Sequence, residues 1–221
     1  MASSAEESFV NRDPGEAPVQ GFLHRAVSDS VGYLVLTHGA GGNCNAALLV
    51  ALAEGFAAAG LSTLRCNLPY RQRKPTGPPS PSDAKQDQEG LRRAVELMRK
   101  EFSGSAFLGG SSYGGRQASM LVASDPTLVD GLLLLSYPLH PPGRPEKLRT
   151  DHFPALQTPV LFVSGTKDAF GSIAELEGAI KLIPAKTKLM AIEGAAHGLQ
   201  QKSKSSKLPA EIVAAFFDFF R

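Results

Sequence analysis

The sequence predicts an α/β fold: a mostly parallel sheet with helices on both faces. Three observations carry that expectation. Apolar runs of strand length alternate with segments of helical periodicity along nearly the whole chain. Several runs, among them VGYLVLT (31–37), GLLLLS (131–136) and PVLFVSG (159–165), are almost continuously apolar, as strands covered on both faces are. The 221 residues, 43% apolar and 20% charged, suffice for one well-buried core in an ordinary globular composition.

Each element follows in order. Residues 1–18 are polar, with a turn signal at Asp13-Pro14-Gly15, and Phe9-Val10 marks the end of a first short edge strand. One domain is expected over 19–221. VQGFLHR (19–25) reads as a second edge strand, VGYLVLT as a buried one, and HGAGGN (38–43) as a glycine-rich turn. Over 45–59, Leu48, Leu49, Leu52 and Phe56 keep helical spacing, and Gly60 suits the position past the helix end. LSTLRCN (61–67) is the next strand, and LPYRQRKPTGPPSPS (68–82) the least regular loop. Asp83 is placed to cap a helix reaching about Phe102, with Gln86 as its capping-box partner. SAFLGG (105–110) is a strand entering a tight turn, and SYGGRQASMLVAS (112–124) is a helix. After GLLLLS, residues 137–158 carry five prolines and read as irregular. PVLFVSG, a helix from near Ser172, TKLMAIEG (187–194) and the amphipathic PAEIVAAFFDFF complete the chain, with Pro209 at the first helical position.

Composition excludes several classes. A net charge of +2 does not suit a general nucleic-acid binder. Two cysteines, Cys44 and Cys66, are too few for a disulfide framework and read as reduced thiols. The start, MASSAEESFV, has neither a basic beginning nor an apolar core, so no signal peptide is expected. No apolar run approaches the ~20 residues of a membrane helix. A cytoplasmic protein without a membrane partner is the expectation, as monomer or homodimer. No metal or cofactor motif is present, so neither is expected.

The chemistry centres on Gly110-Ser111-Ser112-Tyr113-Gly114. This is G-x-S-x-G after an apolar strand and before a helix, the setting of a nucleophile elbow. The residues two before and two after the nucleophile must be small. Centring on Ser111 would put Tyr113 at such a position, so Ser112 is the candidate nucleophile. A serine hydroxyl needs a base, and the base an orienting carboxylate. In this chain order the acid and then the histidine follow the serine. His197, in GAAHG after the last strand, and Asp168, in SGTKD after the preceding one, fit that order. The oxyanion donors are expected to be the N–H groups of Tyr113 and of Ala40 in the loop His38-Gly39-Ala40-Gly41-Gly42. Gly39, Gly41, Tyr70, Arg71 and His140 are the candidate substrate contacts; for His140 the competing reading is a loop residue stacked between prolines. Arg71, Arg73, Lys74, Arg116, Arg144, Lys147 and Arg149 fall on segments expected near the same sheet edge. Convergent, they would favour an anionic substrate; scattered, they are a solvated surface.

Together these residues resemble the α/β-hydrolase superfamily over nearly the whole chain. THGAGG (37–42), GGSSYGGRQAS (109–119), SYPLHPPGRPEKLR (136–149) and SGTKDAFG (164–171) are similar to a narrower group of small capless bacterial hydrolase-like proteins. That group is related to the testis-expressed hydrolase-like proteins and to the hydrolase-like domain of a nonspecific-lethal chromatin-complex subunit. It carries Lys and Met beside the nucleophile, where this chain has Ser111 and Tyr113. The resemblance implies an α/β-hydrolase fold without a separate cap and esterase-type chemistry on a small ester or acyl substrate. Some relatives serve as interaction domains, so a non-catalytic module is the first rival and acyl transfer or thioester cleavage the second. With only about twenty residues between the strands at 131–136 and 159–165, the site is expected to be an open cleft or one closed by a second subunit.

Overall fold

The computed structural model describes residues 6–28, 30–199 and 207–221. The first five residues of the polar N-terminal segment lie outside the described residues. Strands β1 (Glu6–Asn11), β2 (Val19–His24), β3 (Gly32–Thr37), β4 (Leu61–Asn67), β5 (Ser105–Ser111), β6 (Gly131–Leu135), β7 (Val160–Gly165) and β8 (Thr187–Ile192) form one sheet in the order β1-β2-β4-β3-β5-β6-β7-β8. β1 and β2 run antiparallel to their neighbours, and β4 through β8 are parallel.

The apolar runs are continuous because both faces are covered. Tyr33, Val35, Leu132, Leu134, Val160 and Phe162 point to one core; Leu34, Leu36, Leu133, Leu135, Leu161 and Val163 point to the other. The first core is closed by α3 (Ala84–Glu101), α4 (Tyr113–Ser124) and α5 (Ile173–Ile180). The second is closed by α1 (Ala47–Ala58) and α6 (Leu208–Phe220), where Phe56 and Phe107 pack edge to face on Phe216 and Phe220 tilts against Phe107. Both cysteines are buried free thiols. Among the described residues no helix is long and apolar enough to cross a membrane, and no separate cap rises over the sheet.

Four local expectations are corrected. β2 is not an edge strand: β1 pairs along its whole length and takes the edge. The loop at 68–82 holds a short helix, α2 (Pro69–Arg73), started by a proline whose φ already suits a first turn. Asp83 does not cap α3. Ser80 caps a 3₁₀ turn, Pro81–Asp83, and the Asp83 carboxylate accepts from the Ser80 N–H at 2.7 Å, so the capping box lies three residues earlier than expected. Pro209 follows Leu208 and so takes the second helical position of α6.

Candidate active site

β5 passes into α4 through Ser112, whose φ of 47° and ψ of −115° are strained for a residue with a side chain. The turn closes only because its flanks lack Cβ atoms. A Cβ at Gly110 would lie 2.7 Å from the Gly115 nitrogen, and one at Gly114 2.4 Å from the His38 carbonyl oxygen. These contacts supply the steric reason for a motif centred on Ser112 rather than Ser111.

The turns after β7 and β8 bring Asp168 and His197 to the same sheet edge. His197 Nε2 lies 2.8 Å from Ser112 Oγ, and His197 Nδ1 lies 2.9 Å from each Asp168 oxygen. An ionised carboxylate only accepts, so Nδ1 carries the proton and Nε2 accepts from the serine hydroxyl. Phe170 stacks on the imidazole with ring centroids 4.0 Å apart, and its N–H donates to Asp168 Oδ1 at 2.8 Å. One residue thus fixes both the ring plane and the carboxylate.

The loop after β3 is held from behind. The Leu68 N–H donates to His38 Nε2 at 3.2 Å, which leaves the proton on Nδ1 to donate to the Gly39 carbonyl at 2.8 Å. Burial pushes the His38 pKa down to about 4, so the ring is neutral at pH 7. The Tyr70 hydroxyl donates to the Ala40 carbonyl at 2.8 Å. Arg71 donates to the carbonyls of Ala40, Gly42, Lys74 and Gly77, each within 2.9 Å. The N–H groups of Ala40 and Tyr113 have no protein acceptor among the described residues. Tyr113 owes this to its place at the first helical position, where no intrahelical carbonyl is available. Its hydroxyl donates at 2.8 Å to Asp87, a fully buried carboxylate that also takes the Tyr70 N–H at 3.0 Å. Burial raises the Asp87 pKa, and these two donors oppose the rise.

Ser112 opens into a cleft of about 1100 Å³. Much of its lining is apolar: Ala46 to Leu49, Pro78, Pro79, Pro81 and Phe170. One face of α4 adds a wall, made by Tyr113, Arg116, Gln117 and Met120 at helical spacing. Ser112, His197, Tyr113, Ala40, Gly39 and Gly41 all line the cleft. Asp168 stands behind His197. Tyr70, Arg71 and His140 do not line it, against expectation. Tyr70 and Arg71 turn their donors onto loop carbonyls, and His140 is buried, with its Nδ1 on the Pro141 carbonyl and its N–H on the Phe170 carbonyl. Of the basic residues, only Arg116 and Arg149 reach the cleft; Arg73 instead pairs with Asp83 at 2.8 Å.

Phe170 and Asp87 were missed by sequence reasoning. Asp87 had a signal: it falls in phase with the buried stripe Gly90, Leu91, Ala94, Val95 and Met98 of α3. An acid on an apolar stripe calls for a donor across the interface. Phe170 had none beyond standing two residues after Asp168.

The strand order, the strained serine turn and the placement of the acid and histidine define an α/β-hydrolase fold. The chain belongs to the alpha/beta hydrolase domain family, whose model matches residues 30–219. Solved structures agree on the fold. A dienelactone hydrolase from Anabaena variabilis is 19% identical over 99% of this chain and 98% of that one, with a TM-score of 0.74. Est1E from Butyrivibrio proteoclasticus is 16% identical over 98% of each chain, with a TM-score of 0.72. An alpha-beta serine hydrolase homologue from Coxiella burnetii is 17% identical over 97% and 95%, with a TM-score of 0.70.

Proposed function

We propose that the chain is a serine hydrolase, a carboxylesterase that opens a small ester through an acyl-enzyme. The observation that carries this reading is the hydrogen-bonded row Ser112–His197–Asp168 facing an open cleft. His197 Nε2 takes the Ser112 proton as Oγ attacks the ester carbonyl. Asp168 holds the imidazole in the tautomer that accepts and stabilises its positive form. The N–H groups of Tyr113 and Ala40 receive the developing oxyanion. The carbonyl–oxygen bond to the alcohol breaks, and the alcohol leaves with the proton from His197. Water then gives its proton to His197 and attacks the acyl carbon, releasing the acid and restoring Ser112. Access to Ser112 favours this reading over a non-catalytic interaction module.

Intact-mass analysis after treatment with a fluorophosphonate tests it. One adduct per chain is expected on the native protein and none on Ser112→Ala. A rate about 10²–10⁴-fold lower is expected on His197→Ala. A folded native protein that takes no label sinks the proposal.

A further inference from the structure

The α4 wall of the cleft presents hydrogen-bond donors that the protein leaves without acceptors. The Arg116 guanidinium stands beside the Tyr137 hydroxyl, but its Nε is buried and has no partner, and no carboxylate pairs with Arg116 or Arg149 among the described residues. Gln117 is fully buried; its Oε1 accepts from Gln88 Nε2 at 2.9 Å, but its own Nε2 has no acceptor. The one side-chain hydrogen bond of Arg149 is long, 3.3 Å to the Pro138 carbonyl. All three residues line the cleft that holds Ser112. Native proteins rarely leave buried donors unpaired, and two guanidinium groups close together repel unless an anion joins them. Arg116 does depress the Arg149 pKa, after the larger effect of burial. Much of the remaining lining is apolar.

From this we infer that the cleft binds the carboxylate of an anionic ester, held by Arg116 and Arg149 with the Gln117 amide beside them. The inference rests on the ester chemistry proposed above and names the substrate class for it. Two guanidinium forks match a planar carboxylate, and Arg suits this better than Lys would. The position also sets a length. The Arg116 backbone lies one helical turn beyond Ser112, about 6 Å along the axis, so its side chain serves the same end of the cleft. The carboxylate then stands a few bonds from the attacked carbonyl, as in a half-ester of a short dicarboxylic acid. The apolar lining covers the intervening methylenes.

The test compares mono-4-nitrophenyl succinate, glutarate and adipate with their neutral methyl esters, following nitrophenol release. The best anionic member is expected to exceed its neutral partner at least about tenfold in kcat/KM, more at low salt than at high. In Arg116→Met, and separately in Arg149→Met, that ratio falls towards one; Arg116→Lys keeps part of it. Equal rates, or a preference for the neutral esters, in the wild-type protein overturn the inference. Calorimetric titration of Ser112→Ala with monomethyl glutarate and with dimethyl glutarate needs no turnover. The anion is expected to bind at least about tenfold tighter, and adding Arg116→Met is expected to remove that margin. If no ester is hydrolysed but the anion binds selectively, the ester chemistry fails and the anion site stands. If both glutarates bind alike, the anion site fails whatever the activity.

Discussion

Arg65 and Arg71 on the β4 side of Ser112, and Arg116 and Arg149 on the β6 side, meet the same physical problem in opposite ways. Arg65 is fully buried, yet its guanidinium reaches the Cys44 carbonyl, Asn45 Oδ1 at 3.2 Å, His24 Nε2 at 3.0 Å and the Glu6 carboxylate at 2.5 Å. Arg71 spends its donors on four backbone carbonyls. The other pair faces the cleft with no carboxylate: Arg149 makes one long bond, and Arg116 has the Tyr137 hydroxyl beside it but keeps a buried unpartnered Nε. A cation taken from water without acceptors costs several kcal/mol. The contrast separates arginines that complete the fold, one in strand β4 and one in α2, from arginines on α4 and the loop after β6 that a ligand completes.

The largest expected effect lies on the first side. Arg65→Met leaves the Cys44 carbonyl without its charged donor and is expected to cost about 3 kcal/mol. Urea denaturation measures it. Arg71→Met is expected to cost a similar amount and also to lower kcat, because the Ala40 loop loses the clamp that fixes it. A loss below about 1 kcal/mol for either variant would erase the distinction between the two sides.

Acid attacks the first side next. His24 accepts from Arg65, and burial and then Arg65 hold its pKa down; His38 sits near Arg71 with its pKa at about 4. A folded value below the unfolded 6.5 means that the unfolded chain binds more protons between about 4 and 6.5. Stability therefore falls as pH drops through that window. For His38 alone the loss from pH 7 to pH 5 is about 2 kcal/mol. His152 on the other side, held at about 4 by burial and then by Arg116, acts in the same direction. Urea midpoints at the two pH values check the slope, and His38→Gln is expected to flatten it by its own share. An unchanged slope in that variant would remove His38 from the account.

Why some of this was legible in the sequence follows from the range of the forces involved. Ser112, Asp168 and His197 each end a strand, and strand ends are written in local apolar runs; the order of the three in the chain did the rest. The position of Arg71 near the sheet edge is local information and suggests a substrate contact, whereas the direction of its guanidinium is set by carbonyls about thirty residues earlier. The same holds for Tyr70. The sequence around Arg116 and Arg149 reads as readily as solvated surface, since nothing local to either shows that both line one cleft. The sequence places the capping box three residues too late because Asp83 also fits the first position of a helix start. Only the Ser80 N–H accepted by Asp83 distinguishes them.

The smallest expected effect is the sharpest test of the contrast. If Arg116 is completed by a ligand, the empty protein carries its buried Nε as an unmet cost. Replacing it with methionine removes that cost and the repulsion with Arg149 while keeping aliphatic volume beside Tyr137. Arg116→Met is therefore expected to leave stability within about 1 kcal/mol of the wild type, on the stabilising side, where Arg65→Met loses about 3 kcal/mol. Urea unfolding without ligand measures both. A loss as large as that of Arg65→Met would place Arg116 among the residues that build the fold. The missing acceptor would then have to be found within the protein rather than in the cleft.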